Sequence, residues 1–218
     1  MEEDGQMPSE RFFHLPEDKK KRIIKASLKE FARVPFEEIS INRIIRDADI
    51  SRGSFYQYFE DKQDLELFLL EDFRDQLQSE LEEYLVHEKG DLFQFFQDAL
   101  GATVRIGMKH EFKDVCKNVF SRLKYGPPCK GDFFKEEVQK MGKKVTGEMK
   151  QRYYPEYSIE EIVLVFDILI QIFKEALVRI FLFDEEENKI LEDFHKKTVL
   201  IEAGMKTVKE KEIEDAQV

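Results

Sequence analysis

In the stretch S-R-G-S-F-Y-Q-Y-F, residues 51–59, Arg52, Gly53, Tyr56 and Gln57 share one face of a helical wheel. Phe55 and Phe59 point the opposite way with Ile50, and Ser54 and Tyr58 fall on the flank. Two rings are thus expected in a core and two at the surface. A guanidinium, a carboxamide and a phenol beside one another form no nucleophile–base pair. They are groups that read hydrogen-bond patterns. An arginine forks onto guanine O6 and N7, a glutamine pairs with adenine, and a tyrosine offers its ring to a thymine methyl and its hydroxyl to a phosphate. Gly53 costs a helix about 1 kcal/mol relative to alanine, which close passage of a DNA strand would justify. Lys62 stands at the start of the next helix, where N–H groups already point outward, and could clamp a phosphate.

The surrounding elements fit this placement. Ser40 is a good N-cap for I-N-R-I-I-R-D-A, a helix over about 40–48 with Ile41, Ile44, Ile45 and Ala48 inward. A tight turn at Asp49-Ile50 leads to Ser51, which caps a helix over about 51–59. Two short capped helices around a tight turn have helix-turn-helix spacing. The run FYQYF could also be read as a strand, but the cap and the preceding helices weigh against it. The pair could equally be a packing unit with no partner. Upstream, Pro16, Glu17 and Asp18 open a helix over about 16–32 with Ile23, Ile24, Ser27, Leu28 and Phe31 on one face. Residues 1–10 are polar and acidic and are expected to be a disordered tail.

The net charge of −11 hides an asymmetry: residues 11–65 carry +2 and residues 66–218 carry −9. Binding follows the local patch rather than the total. Cys116 and Cys129 form no metal spacing, and the four histidines are scattered. There is no phosphate loop or nucleophile elbow. No catalytic residue, metal or cofactor is therefore expected, and nothing suggests an enzyme. The absence of an apolar N-terminal run suggests a cytoplasmic protein with reduced thiols.

The segment F-E-E-I-S-I-N-R-I-I-R-D-A-D-I-S-R-G-S-F-Y-Q-Y-F-E-D-K-Q-D-L resembles the N-terminal domain of the TetR/AcrR family of bacterial repressors. Phe36, Ser40, Ser51, Gly53, Ser54, Phe55, Tyr56, Tyr58, Phe59 and Lys62 match its motif. The resemblance implies that Arg52, Ser54 and Tyr56 contact bases or nearby sugars, and that Ser40, Tyr58 and Lys62 hold phosphates. Arg43 and Arg46 would add backbone contacts. The chain departs from the family pattern at Asp49 and at Val34-Pro35, where glycine is common. Aspartate tolerates the left-handed conformation, so the turn is expected to survive.

Beyond residue 65 helical patterns cover about 61–88, 91–109, 111–124, 130–153, 158–183 and 187–209, and the last ten residues look frayed. From Ile162 to Phe173 the chain is apolar almost all round, yet its charges come too often for a membrane span. A helix apolar on every face must be covered on every face. The resemblance implies a homodimer through residues about 158–209, packed as a four-helix seam, and a helical domain holding an effector. Candidate pocket residues are Phe93, Phe96, Phe120, Phe134 and Phe173, with Thr103, Arg105, Asp167 and Gln171 as polar interruptions. Such a lining would suit an amphipathic small molecule, although ordinary core is the plainer reading of any one ring.

The expectation is an all-α chain. A three-helix helix-turn-helix DNA-binding domain spans 11–65, and a larger helical effector-binding and dimerisation domain spans 66–210, with about nine helices and a tail over 211–218. It would act as a DNA-binding transcriptional regulator, a repressor released from a near-palindromic operator by an effector. The alternative is a helical small-molecule-binding or scaffolding protein whose helix-turn-helix no longer binds DNA.

Overall fold

The computed structural model describes residues 8–86, 91–110, 112–125, 142, 145–147, 150–183 and 185–216, and among them there is no strand. In chain order the helices are α1 (Glu10–Phe13), α2 (Glu17–Arg33), a 3₁₀ turn (Phe36–Glu38), α3 (Ile41–Ala48), α4 (Arg52–Tyr58), α5 (Lys62–Leu69), α6 (Glu71–Val86), α7 (Leu92–Gly107), α8 (Lys113–Tyr125), α9 (Ile159–Leu182) and α10 (Glu187–Ala216). The helix expected over 130–153 falls largely outside the described residues, as do Phe134 and Cys129. The chain forms two compact units, Met1–Gln76 with Gly107–Gly131, and Leu77–Ile106 with Asp132–Val218.

The first unit is built on an aromatic and isoleucine core. Phe12, Ile23, Phe31, Ile44, Phe55, Phe59, Leu65 and Leu70 are all but fully buried. Pro35 ends α2, since the residue before a proline avoids helical backbone. Val34 is accordingly extended. The amide of Asn118 on α8 donates to the carbonyls of Phe31 and Val34, so a helix end without a glycine cap still has acceptors satisfied. This unit therefore reaches past residue 65 and includes α8.

The N-terminal tail was expected to be loose through residue 10, but Pro8 is buried and Ser9 is tied to α4. Its N–H donates to the Tyr58 carbonyl at 3.0 Å and its hydroxyl to the Gln57 carbonyl. Phe12 packs against Phe59 and Phe68, both at 5.0 Å between ring centroids. The single helix expected over 61–88 breaks at Leu70 into α5 and α6.

In the second unit Ser158 and Glu161 form a reciprocal capping box that starts α9. α9 and α10 run antiparallel, stitched by Lys209–Glu161 at 3.2 Å, Lys197–Glu175 at 2.7 Å and Arg179–Asp193 at 3.5 Å. Arg179 also forks onto Glu185 and closes the hairpin. The frayed end expected for the last ten residues is not seen among those described: α10 continues to Ala216. Lys206–Glu202 and Lys209–Glu212, spaced four and three apart, support that end. One side of the pair buries Phe166, Leu169, Phe173, Leu177, Ile190 and Phe194. The other leaves Leu164 (63%), Ile168 (49%), Leu200 (72%) and Val208 (57%) exposed. No helix among the described residues is long and apolar enough to cross a membrane.

Candidate nucleic-acid interface

Local chemistry places α3 and α4. The Ser40 hydroxyl accepts from the Arg43 N–H at 3.4 Å and the Ser51 hydroxyl from the Ser54 N–H at 3.0 Å, so each helix starts where a serine satisfies an orphan donor. Between them Asp49 sits at φ 53°, ψ 56°. The Ile50 N–H reaches the Ile45 carbonyl at 3.1 Å and the Asp49 N–H the Arg46 carbonyl at 3.3 Å. This is a Schellman ending closed by aspartate in place of glycine. The turn survives, as the sequence predicts.

The entry to α3 is held from below by a residue that the sequence reading passed over. The Glu30 carboxylate is buried and accepts a fork from Arg33 at 2.6 and 2.7 Å and the Ser40 N–H at 3.1 Å, with Arg43 Nε 3.7 Å away. The Arg33 bond and the Ser40 N–H hold its pKa below the ordinary glutamate value, against the opposing effect of burial. A carboxylate with a lowered folded pKa stabilises the fold above its unfolded pKa, and that contribution is lost as pH falls through the lowered value. Glu30→Gln is expected to cost about 1–3 kcal/mol at pH 7. In urea unfolding the gap from wild type should close towards pH 3; an equal gap at pH 7 and pH 3 would remove Glu30 from this role. Its place on the α2 face of Ile23 and Ser27 was the available signal.

On α4, Phe55 and Phe59 are fully buried and Tyr56 is 43% exposed. Tyr58 corrects the expectation. Its ring is buried, 6.0 Å from Phe12, with Lys19 Nζ 5.7 Å from its centroid. Three rings of the four are core because α1 covers the flank. Arg52, Gly53 and Gln57 are exposed, and Ser54 is half-buried with its hydroxyl 2.8 Å from that of Ser51. A Cβ added at Gly53 would meet only the Ser51 Oγ, at 3.9 Å. The fold itself does not require this glycine.

Arg52 is held in place. One Nη donates to Asn42 Oδ1 of α3 at 2.8 Å, the other reaches the Tyr56 hydroxyl at 3.4 Å, and the guanidinium lies 5.4 Å from the Tyr56 ring centroid. Asn42 carries no signal of this contact in the sequence. Other cations have internal partners. Arg46 forks onto Asp47 at 3.1 and 3.2 Å, and Lys29 meets the same carboxylate at 3.0 Å.

Lys62 is not simply outward. Its ammonium donates to the carbonyls of Phe36 at 2.9 Å and Glu37 at 3.1 Å, and lies 4.6 Å from the Phe36 ring centroid. One of its three N–H donors is left for a phosphate. Lys62→Ala is expected to lower stability by about 1–2 kcal/mol and to flatten the slope of log K against log salt by about one unit. A stability loss with an unchanged slope would leave it a purely structural staple.

The candidate pocket residues do not assemble as one set. Phe96 packs against Phe166 at 5.2 Å and Phe173 at 5.9 Å, and Phe93 is buried. Thr103 is buried with its hydroxyl donating to the Ala99 carbonyl at 2.7 Å. Phe120 belongs to the first compact unit. Arg105 is exposed and paired with Glu80, and Asp167 and Gln171 are exposed on α9. Among the described residues these three are exposed, set apart from the buried phenylalanines. Arg105 lies on α7, and Asp167 and Gln171 share the exposed face of α9 with Leu164 and Ile168.

Residues 23–67 match the sequence model described as bacterial regulatory proteins, tetR family. No curated protein matches the chain. Among solved structures it is similar to a TetR family transcriptional regulator from Chloroflexus aurantiacus J-10-FL, with 24% identity over 96% of each chain and a TM-score of 0.54. A TetR-family transcriptional regulator from Syntrophomonas wolfei str. Goettingen has 21% identity, covering 84% of this chain and 93% of that one, with a TM-score of 0.54. A TetR-like transcriptional regulator from Rhodococcus sp. RHA1 has 14% identity, covering 88% and 100%, with a TM-score of 0.56. These likenesses speak to the fold, and the N-terminal match speaks to the segment that carries α3 and α4. Residues 23–67 are thus similar to the tetR family of bacterial regulatory proteins, and the fold of the chain is similar to that of solved regulators of that family.

Proposed function

We propose that this protein is a homodimeric repressor that occupies a near-palindromic operator and leaves it when an amphipathic effector binds its helical C-terminal part. The carrying observation is the outward face of α4. Arg52, Gly53, Tyr56 and Gln57 are exposed together, and the fold has no need of the glycine. Each α4 would enter a major groove and read one half-site, with Arg52, Ser54, Tyr56 and Gln57 at base edges and Ser40, Ser51, Arg43, Arg46 and Lys62 along the backbone. Tyr58 would act on a phosphate only through its hydroxyl, because its ring is buried.

A dimer sets the distance between two readers, and operators of this kind place half-sites about 34 Å apart, one helical turn. The exposed leucines, isoleucine and valine of α9 and α10 support a seam between two copies. Release would be a shift between two separations of the readers, driven by an effector with higher affinity for the separation that fits DNA less well. The Phe96–Phe173 cluster with Phe93 and Thr103 is the part of the second unit best suited to that effector.

The rival reading, a helical binding or scaffolding protein with an inert reader, draws on the internal partners of Lys62 and Arg46. Selection of duplexes from a random library by the full-length protein separates the two. The repressor reading predicts enrichment of a sequence with two-fold symmetry; an unenriched pool bound with flat salt dependence supports the inert reader.

A further inference from the structure

We infer that Asn42 is a specificity-determining residue that acts through Arg52: α3 holds the reading arginine of α4 in one pose before DNA arrives. This rests on the DNA-binding reading above. A free arginine side chain loses about 2 kcal/mol of rotamer freedom when fixed, and a flexible guanidinium accepts more than one base step. Here one Nη is anchored on Asn42 Oδ1 at 2.8 Å, and the other is within reach of the Tyr56 hydroxyl at 3.4 Å. The Tyr56 ring supports the guanidinium at 5.4 Å.

An arginine has five N–H donors, so after Asn42 and Tyr56 take one each, three remain to fork onto a guanine edge. Asn42 and Arg52 lie on different helices, joined by the left-handed turn at Asp49. Their bond therefore ties α4 to α3 at the exposed surface, beside the core contacts of Ile44 and Phe55. Asn42 is exposed, and its amide nitrogen remains available. Its carbonyl oxygen is the part that this pose uses.

The test uses the full-length protein, the tightest duplex recovered from a random library and all single base-pair variants of that duplex. Wild type should discriminate the base pair read by Arg52 about 10-fold to 100-fold. Asn42→Ala should reduce that discrimination to within about threefold at that position and leave it intact elsewhere. Arg52→Ala and the double variant should have the same profile as each other, because Asn42 has nothing to position once Arg52 is gone. In the free protein, the Arg52 side-chain Nε–H should become more mobile in Asn42→Ala by NMR relaxation.

Additive losses in the double variant, or relaxed discrimination at a different base pair, would show that Asn42 reads DNA by itself and overturn the inference. Unchanged discrimination with an equally rigid Arg52 would overturn it as well. If wild type selects no duplex at all, the DNA-binding reading fails and this inference fails with it.

Discussion

Replacing Gly53 with alanine is expected to raise the melting temperature by about 1–4 °C and to weaken operator binding at least about tenfold. The two effects have opposite signs, which makes the variant informative. Gly53 lies in the first turn of α4 with ordinary helical backbone, and an added Cβ would meet only a serine oxygen at 3.9 Å. Alanine at a compatible position restricts the unfolded chain and stabilises by about 0.4–1 kcal/mol, which in a protein of this size is about 2–4 °C per kcal/mol. A residue that weakens its own helix and fills no packing need is explained by what approaches from outside. The methyl group would stand between α4 and the floor of the groove. Thermal melts and equilibrium binding on the same preparation check both halves. Higher stability with unchanged affinity would show that no strand approaches Gly53, and α4 would then enter the groove at another angle.

The second large effect concerns assembly. Leu200→Glu is expected to convert the protein to a monomer at about 10 μM, with its helical content retained, and to weaken operator binding about 100-fold or more. Leu200 is 72% exposed on α10 and has exposed apolar company in Val199, Val208 and, on α9, Leu164 and Ile168. Two-fold symmetry makes each contact count twice, and burying a leucine contributes about 1.5–3 kcal/mol. Losing the link between two half-site readers removes their effective concentration, which is commonly worth 10²-fold to 10⁴-fold. Sedimentation velocity reads the first result and binding the second. A dimer that survives Leu200→Glu with full affinity would place the seam elsewhere.

The helix-turn-helix was legible in the sequence because its signals are local. Ser40, Ser51 and Asp61 each cap the helix that follows, and Asp49 makes the turn at positive φ. These choices depend on neighbours within four residues. The misreadings come from distant partners. Tyr58 lies on the flank of an isolated helical wheel, but Phe12 and Lys19 from the N-terminal segment cover it. Lys62 looks like a free cation until the Phe36 and Glu37 carbonyls fold beneath it.

The polar residues of the second unit failed for a related reason. Asp167 and Gln171 interrupt an apolar run, which suggests burial with a partner, yet the run is two-sided and they stand on its exposed face beside Leu164 and Ile168. The last turns of α10 lack an apolar stripe and so look frayed, but lysine–glutamate pairs three and four residues apart carry the helix on. Glu30 was hidden by its type: a carboxylate on an apolar face is easily taken for solvent decoration, and only the converging Arg33 and Ser40 donors show otherwise.

The proposed function stands on α4 reading DNA through Arg52. Fluorescence anisotropy of a labelled, library-selected duplex, titrated with salt, tests it for wild type and Arg52→Ala side by side. Wild type is expected to bind saturably in the range of about 10⁻⁸ M or tighter at physiological salt, with a steep loss as salt rises, and Arg52→Ala to bind about 100-fold more weakly with non-specific binding nearly unchanged. Equal binding by both proteins, or affinity that ignores salt, would contradict it.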